Sequence, residues 1–285
     1  MVWLLVLCLV YLGLLVGLTL ISLRPYRIPT WISPGSLGHP QEEVEFPSLD
    51  GVRIRGWWCE TPGSDKVAVL FHGYMMNRCE LVPEAHVLLN RGYSCLLIDF
   101  RAHGASEAVP SSIGFRERQD VIAAVGFARS RVANARVLLM GSSMGSASIA
   151  FALADRPELA DLAVIDSAYG RLDQAIAGWW RFLGGPALAT FLWPLPYIAW
   201  PINQLNPFEV DVAAALIQAG PKPLLFFHGS RDTLALPSEA LRNFESAPGP
   251  KKMVWLEGCG HSEGRWLKPE FYQSTLIEWL QENGM

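Results

Sequence analysis

The 285-residue chain has little charge and no block of it. Charged residues make up 18% of the sequence, and 23 basic against 27 acidic side chains leave a formal net charge of −4. Without a basic stripe there is nothing to neutralise a phosphate backbone, which excludes nucleic acid as a partner. Cysteine is scarce and unpatterned. Cys8, Cys59, Cys79, Cys95 and Cys259 are an odd number with no C-x-x-C spacing. That excludes a disulfide framework or a zinc site and fits free thiols in a reducing compartment. The chain also lacks internal repeats and low-complexity tracts.

Charge is missing altogether from Val2 to Leu23, a run of 22 residues. A helix of that length rises about 33 Å, enough to cross the hydrocarbon core of a bilayer. It ends on Arg24-Pro25-Tyr26-Arg27, a basic and aromatic interface pattern. A cleaved signal peptide would need a basic start and a small-residue cleavage site, and neither is present. Residues 1–24 are therefore expected to be a retained transmembrane anchor. The basic pair after the span places the main domain on the cytoplasmic side. Residues 25–42, rich in proline and glycine, read as an extended linker, and 43–285 as the main domain.

What is present is a strand, a sharp turn and a helix. Val137 to Met140 is an apolar run, Gly141-Ser142-Ser143-Met144-Gly145 is a Gly-x-Ser-x-Gly turn, and a run of small and apolar residues follows. Glycine on both sides allows a turn too tight for side chains and holds the Ser143 hydroxyl exposed. The Met144 N–H, at the start of the following helix, is placed to meet a developing oxyanion.

Along the rest of the domain, short apolar runs alternate with helical patterns. Glu43–Ser48 and Val52–Trp57 flank Asp50-Gly51, a hairpin signal. Strands are expected at Val67–Phe71, Ser94–Ile98, Val137–Met140, Leu162–Ile165, Pro223–Phe227 and Met253–Leu256. Helices are expected at Glu80–Leu89, Phe115–Ala128, Met144–Ala154, Pro237–Phe244 and Glu270–Leu280. This is an α/β pattern: a mostly parallel sheet covered by helices on both faces, with an antiparallel hairpin at its start. Functional groups in such sheets gather in loops at the carboxyl ends of the strands.

A serine hydroxyl needs a base to take its proton. Of six histidines, His261 alone follows the last strand, in the small-residue loop Gly258-Cys259-Gly260-His261-Ser262. His39 falls in the linker and His86 in a helix, while His72, His103 and His228 precede Asp232. The acid that steadies the imidazole is expected at Asp232, in a turn after a strand and between Ser143 and His261. Serine, acid, histidine is the chain order of a nucleophile-elbow hydrolase. Asp166, also after a strand, is the second candidate, and Asp99 reads as a turn residue. The second oxyanion donor is expected at Tyr74 N–H, in the loop after Val67–Phe71.

Taken together, Gly141–Gly145, His72-Gly73-Tyr74, Asp99-Phe100-Arg101-Ala102-His103-Gly104-Ala105-Ser106, Gly229–Asp232 and Gly260-His261-Ser262 resemble the α/β-hydrolase superfamily. The resemblance covers roughly residues 43–285. It is to the small esterase, lipase and acyl-peptidase-like branches, several of which carry an N-terminal anchor. It implies an eight-stranded sheet and a catalytic set of Ser143, Asp232 and His261. One departure is Ala102, where a glycine is common.

An insert at about residues 170–208 carries Trp179, Trp180, Trp193 and Trp200 among five prolines. It reads as a small cap. Its prolines argue against a second spanning helix, and its apolar face suits a lipophilic substrate. The function expected is a membrane-anchored serine hydrolase that cleaves carboxylic esters, lipid esters or thioesters through an acyl-enzyme, with no metal or organic cofactor. A peptidase or amidase with the same residues, or a catalytically silent membrane-tethered binding protein, are the alternatives.

Overall fold

The computed structural model describes all 285 residues. The elements, in chain order, are α1 (Val2–Ser22), β1 (Glu42–Pro47), β2 (Arg53–Cys59), β3 (Lys66–Phe71), α2 (Val82–Leu89), β4 (Ser94–Asp99), α3 (Arg118–Arg131), β5 (Arg136–Ser142) and α4 (Met144–Asp155). Then come β6 (Leu162–Asp166), α5 (Leu172–Phe191), α6 (Leu195–Asn203), α7 (Val212–Gln218), β7 (Leu224–Gly229), α8 (Pro237–Ser246), β8 (Lys251–Leu256), α9 (Gly264–Leu267) and α10 (Pro269–Glu282).

Eight strands form one sheet in the order β1-β2-β4-β3-β5-β6-β7-β8. The pairs β1–β2 and β2–β4 are antiparallel, and every pair from β4–β3 onward is parallel. This is the mostly parallel sheet with a leading hairpin that the sequence pattern predicts. The apolar strands are buried on both faces, and their side chains alternate between two cores. Val67, Val69 and Phe71 of β3 join the core under α3, α4 and α7, whereas Ala68 and Leu70 join the one under α2 and α10.

Some boundaries differ from the sequence reading. Helix α3 starts at Arg118, not Phe115, because the preceding turn is held from inside. Glu117 accepts hydrogen bonds from Ser111 Oγ, Ser112 Oγ and Gly114 N. Helix α7 was not anticipated; it is short and capped by Asp211. The segment 25–42 does not float. Arg27 bonds the carbonyls of Ala102 and Ser106, and Asn77 Nδ2 donates to Ile28 O at 2.9 Å.

The insert folds as α5 and α6, with backbone breaks at Gly184 and Gly185 beside Pro186. The two helices meet at 97°. Helix α1 is long and apolar enough to cross a membrane. Its amino-terminal half is exposed, but Leu15 and Thr19 are buried against the insert, where Leu15 packs with Leu192 and Leu195.

Candidate active site

The site is built where β5 ends. Ser143 has φ 49° and ψ −109°, a conformation an L-residue rarely adopts. Strain of this kind costs about 1–3 kcal/mol and persists only where the surroundings enforce it. The enforcing contacts are short. Ser143 N donates to Asp166 O at 2.8 Å, and Ser146 Oγ donates to Gly141 O at 2.7 Å. A side chain at Gly141 would approach Ser146 N to 2.5 Å, and one at Gly145 would collide with Phe71 O. Both glycines of the motif are therefore required by packing.

Three loops at the carboxyl edge of the sheet bring their side chains to one line. His261 Nε2 lies 2.8 Å from Ser143 Oγ, and His261 Nδ1 lies 2.7 Å from Asp232 Oδ2. The carboxylate can only accept, so Nδ1 carries the hydrogen and Nε2 is left to accept from the serine hydroxyl. Asp232 is buried, and its other oxygen accepts Leu234 N at 2.8 Å and Ala235 N at 3.0 Å. His228 also approaches Asp232, but its Nε2 donates to Ala235 O at 2.9 Å, and burial pushes its imidazole below the ordinary value. With its Nε2 engaged there, it makes no hydrogen bond to the serine.

The loop after β3 faces the elbow. Tyr74 N–H has no acceptor within the protein, and Met144 N–H heads α4, where the first amides of a helix have no partner inside it. Both residues line the same cavity as Ser143. Two buried histidines brace this loop. His72 Nε2 accepts Phe100 N at 3.0 Å while its Nδ1 donates to Gly73 O at 2.7 Å. His103 Nε2 accepts Met75 N at 3.3 Å and its Nδ1 donates to Arg101 O at 2.8 Å. Burial lowers each to about 4. Both are neutral with both nitrogens occupied, so neither is available as a base. Ala102 has φ 67°. This left-handed geometry explains why glycine suits that position.

Beneath the elbow lies a network that sequence reasoning missed. Glu80 Oε2 accepts Gly73 N at 2.6 Å, and its Oε1 accepts Ser142 Oγ at 2.7 Å and Arg265 Nη1 at 3.2 Å. Arg265 Nη2 continues to Asp166 Oδ2 at 2.8 Å, which also accepts the Tyr272 hydroxyl at 2.9 Å. One carboxylate, Glu80, thus connects the donor loop to the serine turn. Asp166, the second candidate for the acid, is committed to this network and does not reach His261.

An apolar cavity of about 300 Å³ opens over Ser143 and His261. Its walls come from the donor loop (Tyr74, Met76), the insert (Trp179, Trp180, Leu195, Ala199) and the end of α1 (Thr19, Ser22, Leu23). The contribution of α1 was also not anticipated, since an apolar run carries no signal of which side packs.

Comparison with known proteins agrees with the fold. Residues 62–204 match the family model described as serine aminopeptidase, S33. The chain belongs to this S33 family of α/β hydrolases. It is similar to the uncharacterised protein YqkD of Bacillus subtilis, at 26% identity over 246 residues that cover 82% of this chain and 77% of the relative. It is also similar to the alpha/beta hydrolase domain-containing protein WAV2 of Arabidopsis thaliana, at 25% identity covering 88% and 82% of the two chains. Among solved structures, the Pyrococcus furiosus esterase Pf2001 superposes with a TM-score of 0.76 at 25% identity, covering 92% of this chain and 98% of that one. The S33 match holds the donor loop, the serine turn and both insert helices. Asp232 and His261 lie beyond it, and so does α1.

Proposed function

We propose that this S33-family hydrolase is a membrane-anchored serine esterase, with Ser143 as nucleophile, His261 as base and Asp232 as the acid that orients it. The observation that carries the reading is the unbroken hydrogen-bonded line from Ser143 Oγ through His261 to Asp232. Ser143 Oγ attacks the ester carbonyl while His261 Nε2 takes its proton. Asp232 holds the imidazole tautomer and stabilises the imidazolium that forms. The oxyanion is received by the amides of Tyr74 and Met144, each such donor being worth about 3–4 kcal/mol in the transition state. His261 then protonates the departing alkoxide. A water molecule, deprotonated by His261, releases the acyl group from Ser143.

Esters are favoured over peptides by the lining of the cavity. An aminopeptidase needs a free carboxylate for the substrate ammonium. Glu80 is fully engaged by Gly73, Ser142 and Arg265, and Glu263 sits exposed at the rim, bonded to Gly260 N. The walls are otherwise mostly aliphatic and aromatic, which suits an acyl chain. The name of the Pyrococcus neighbour, an esterase, points the same way. Helix α1 serves as the anchor. Arg24 and Arg27 at its end favour a cytoplasmic position for the hydrolase domain.

The test is turnover by the full chain in bilayers against matched esters, thioesters and aminoacyl amides of increasing acyl length. Esters with longer chains should be cleaved best, and Ser143→Ala should abolish their turnover. Cleavage of aminoacyl amides alone would defeat the ester assignment, and a short-chain-only profile would defeat the lipophilic one.

A further inference from the structure

Helix α1 can be used as a depth gauge. Tyr11 packs at a tilt against Phe191 of the insert, ring centroids 5.0 Å apart, and its hydroxyl donates to Phe191 O. Farther along, Leu15 is buried against Leu192 and Leu195. From Ser22 back to Tyr11 a helix rises about 16 Å, roughly half of a 30 Å hydrocarbon core. When α1 crosses a bilayer with Arg24 and Arg27 at the interface, the insert must lie beside it, within the near leaflet.

The chemistry of the insert fits that depth. Phe182 to Phe208 holds no charged residue. Phe182, Leu183, Phe191, Trp193, Tyr197 and Trp200 are all exposed. Apolar surface of this extent is unfavourable in water and favourable against lipid. Arg181, the last charge before this stretch, turns back to the hydrolase domain, its Nε donating to Thr233 O at 2.7 Å. Backbone at membrane depth must satisfy its own polar groups, and the insert does so over most of its length by folding as two helices.

We propose that α1 and the α5–α6 insert form one membrane-inserted unit, and that the cavity between them receives an acyl ester lodged in the near leaflet. This rests on the reading of α1 as an anchor. The cavity runs from Ser143 and His261 to Thr19 of α1 and Leu195 of the insert. Thr19 is three residues inside the span, about 4–5 Å below the interface. The ester carbonyl is then placed at the interface beside Ser143, and the acyl chain extends toward the leaflet. The substrate class is an amphiphilic acyl ester taken laterally from the bilayer.

The experiment reads depth with a thiol-linked fluorophore on the full chain in phosphatidylcholine vesicles. Cys8 is exposed while the other four cysteines are buried, so the unchanged chain reports on α1. Trp193→Cys and, separately, Trp200→Cys in a Cys8→Ser chain report on the insert, and Ser274→Cys on α10 in the same background reports on water. Nitroxide lipids labelled on the acyl chain should quench positions 8, 193 and 200. Aqueous iodide should quench only position 274. Iodide quenching at 193 and 200 with position 8 still quenched by lipid would overturn the inserted cap and leave the anchor intact. Iodide quenching at position 8 as well would overturn the anchor, and this proposal with it.

Discussion

The Tyr74 hydroxyl donates to Ser22 O at 2.7 Å, tying the donor loop to the last turn of α1. Burial pushes the phenol up to about 12, so it remains a donor at every working pH. Tyr74→Phe removes this bond and leaves the Ser22 carbonyl without it, while keeping the backbone N–H proposed for the oxyanion. The variant should lose about 1–2 kcal/mol of stability. Its kcat/KM for esters should fall less than about tenfold, well short of the cost of losing an oxyanion donor. Denaturant unfolding and ester kinetics on the same preparation check both values. A drop of a hundredfold or more would mean that the phenol itself takes part in the reaction.

Asp232 and Asp166 make opposite predictions. Asp232 faces His261 at 2.7 Å, whereas Asp166 is held by Arg265, Tyr272 and Ser167. Asp232→Asn should lower kcat by about 10⁴ with melting temperature little changed, because the amide cannot hold the required tautomer. Asp166→Asn should cost about 3–5 kcal/mol of stability, the usual result of breaking a buried ion pair from one side. The folded fraction of that variant should keep its turnover number within about tenfold. The reverse ranking would assign the acid to Asp166.

Glu80 should behave as a positioning residue. It touches no reacting atom, but it holds Gly73 N and Ser142 Oγ on either side of the site. Glu80→Gln should lower kcat and leave KM unchanged, the pattern of an interaction realised only in the transition state. Asp at this position is too short to reach both partners and should not rescue. An increase in KM alone would place Glu80 in substrate binding.

Glu84 gives a pH-dependent prediction. It is buried on α2, and burial pushes its carboxyl up to about 7 from an ordinary 4.5. The folded protein therefore holds this proton more tightly than the unfolded chain does. The stability it contributes is fully present below the ordinary value and is lost as pH rises through the raised one. Glu84→Gln keeps a neutral side chain throughout. The variant should melt higher than the parent at about pH 8 and show no such advantage near pH 4.5. Thermal unfolding at the two pH values decides it, and an equal gain at both would remove ionisation as the cause.

Much of this arrangement could be read before the fold was seen, and the reasons are local. Gly141 and Gly145 are demanded by contacts within a few residues or with the neighbouring strand. Asp50-Gly51 sets its hairpin by turn chemistry, and Gly51 adopts φ 86° there. The positions of Asp232 and His261 followed from strand ends and chain order. What stayed hidden depends on which surfaces meet. Glu80 and Arg265 look like solvent-facing charges in sequence, and only the approach of α9 to the serine turn buries them as a pair. Helix α1 is apolar all round, so its span was legible and its buried face, Leu15 and Thr19, was not.

The central claim is that Ser143 is the acylated residue. Incubating the full chain in bilayers with a fluorophosphonate, followed by peptide mass spectrometry, tests it most directly. One adduct is predicted, on the Ser143 peptide, absent in Ser143→Ala and strongly slowed in His261→Ala. A folded, membrane-bound protein that stays unmodified, or carries its adduct on another serine, would contradict the account.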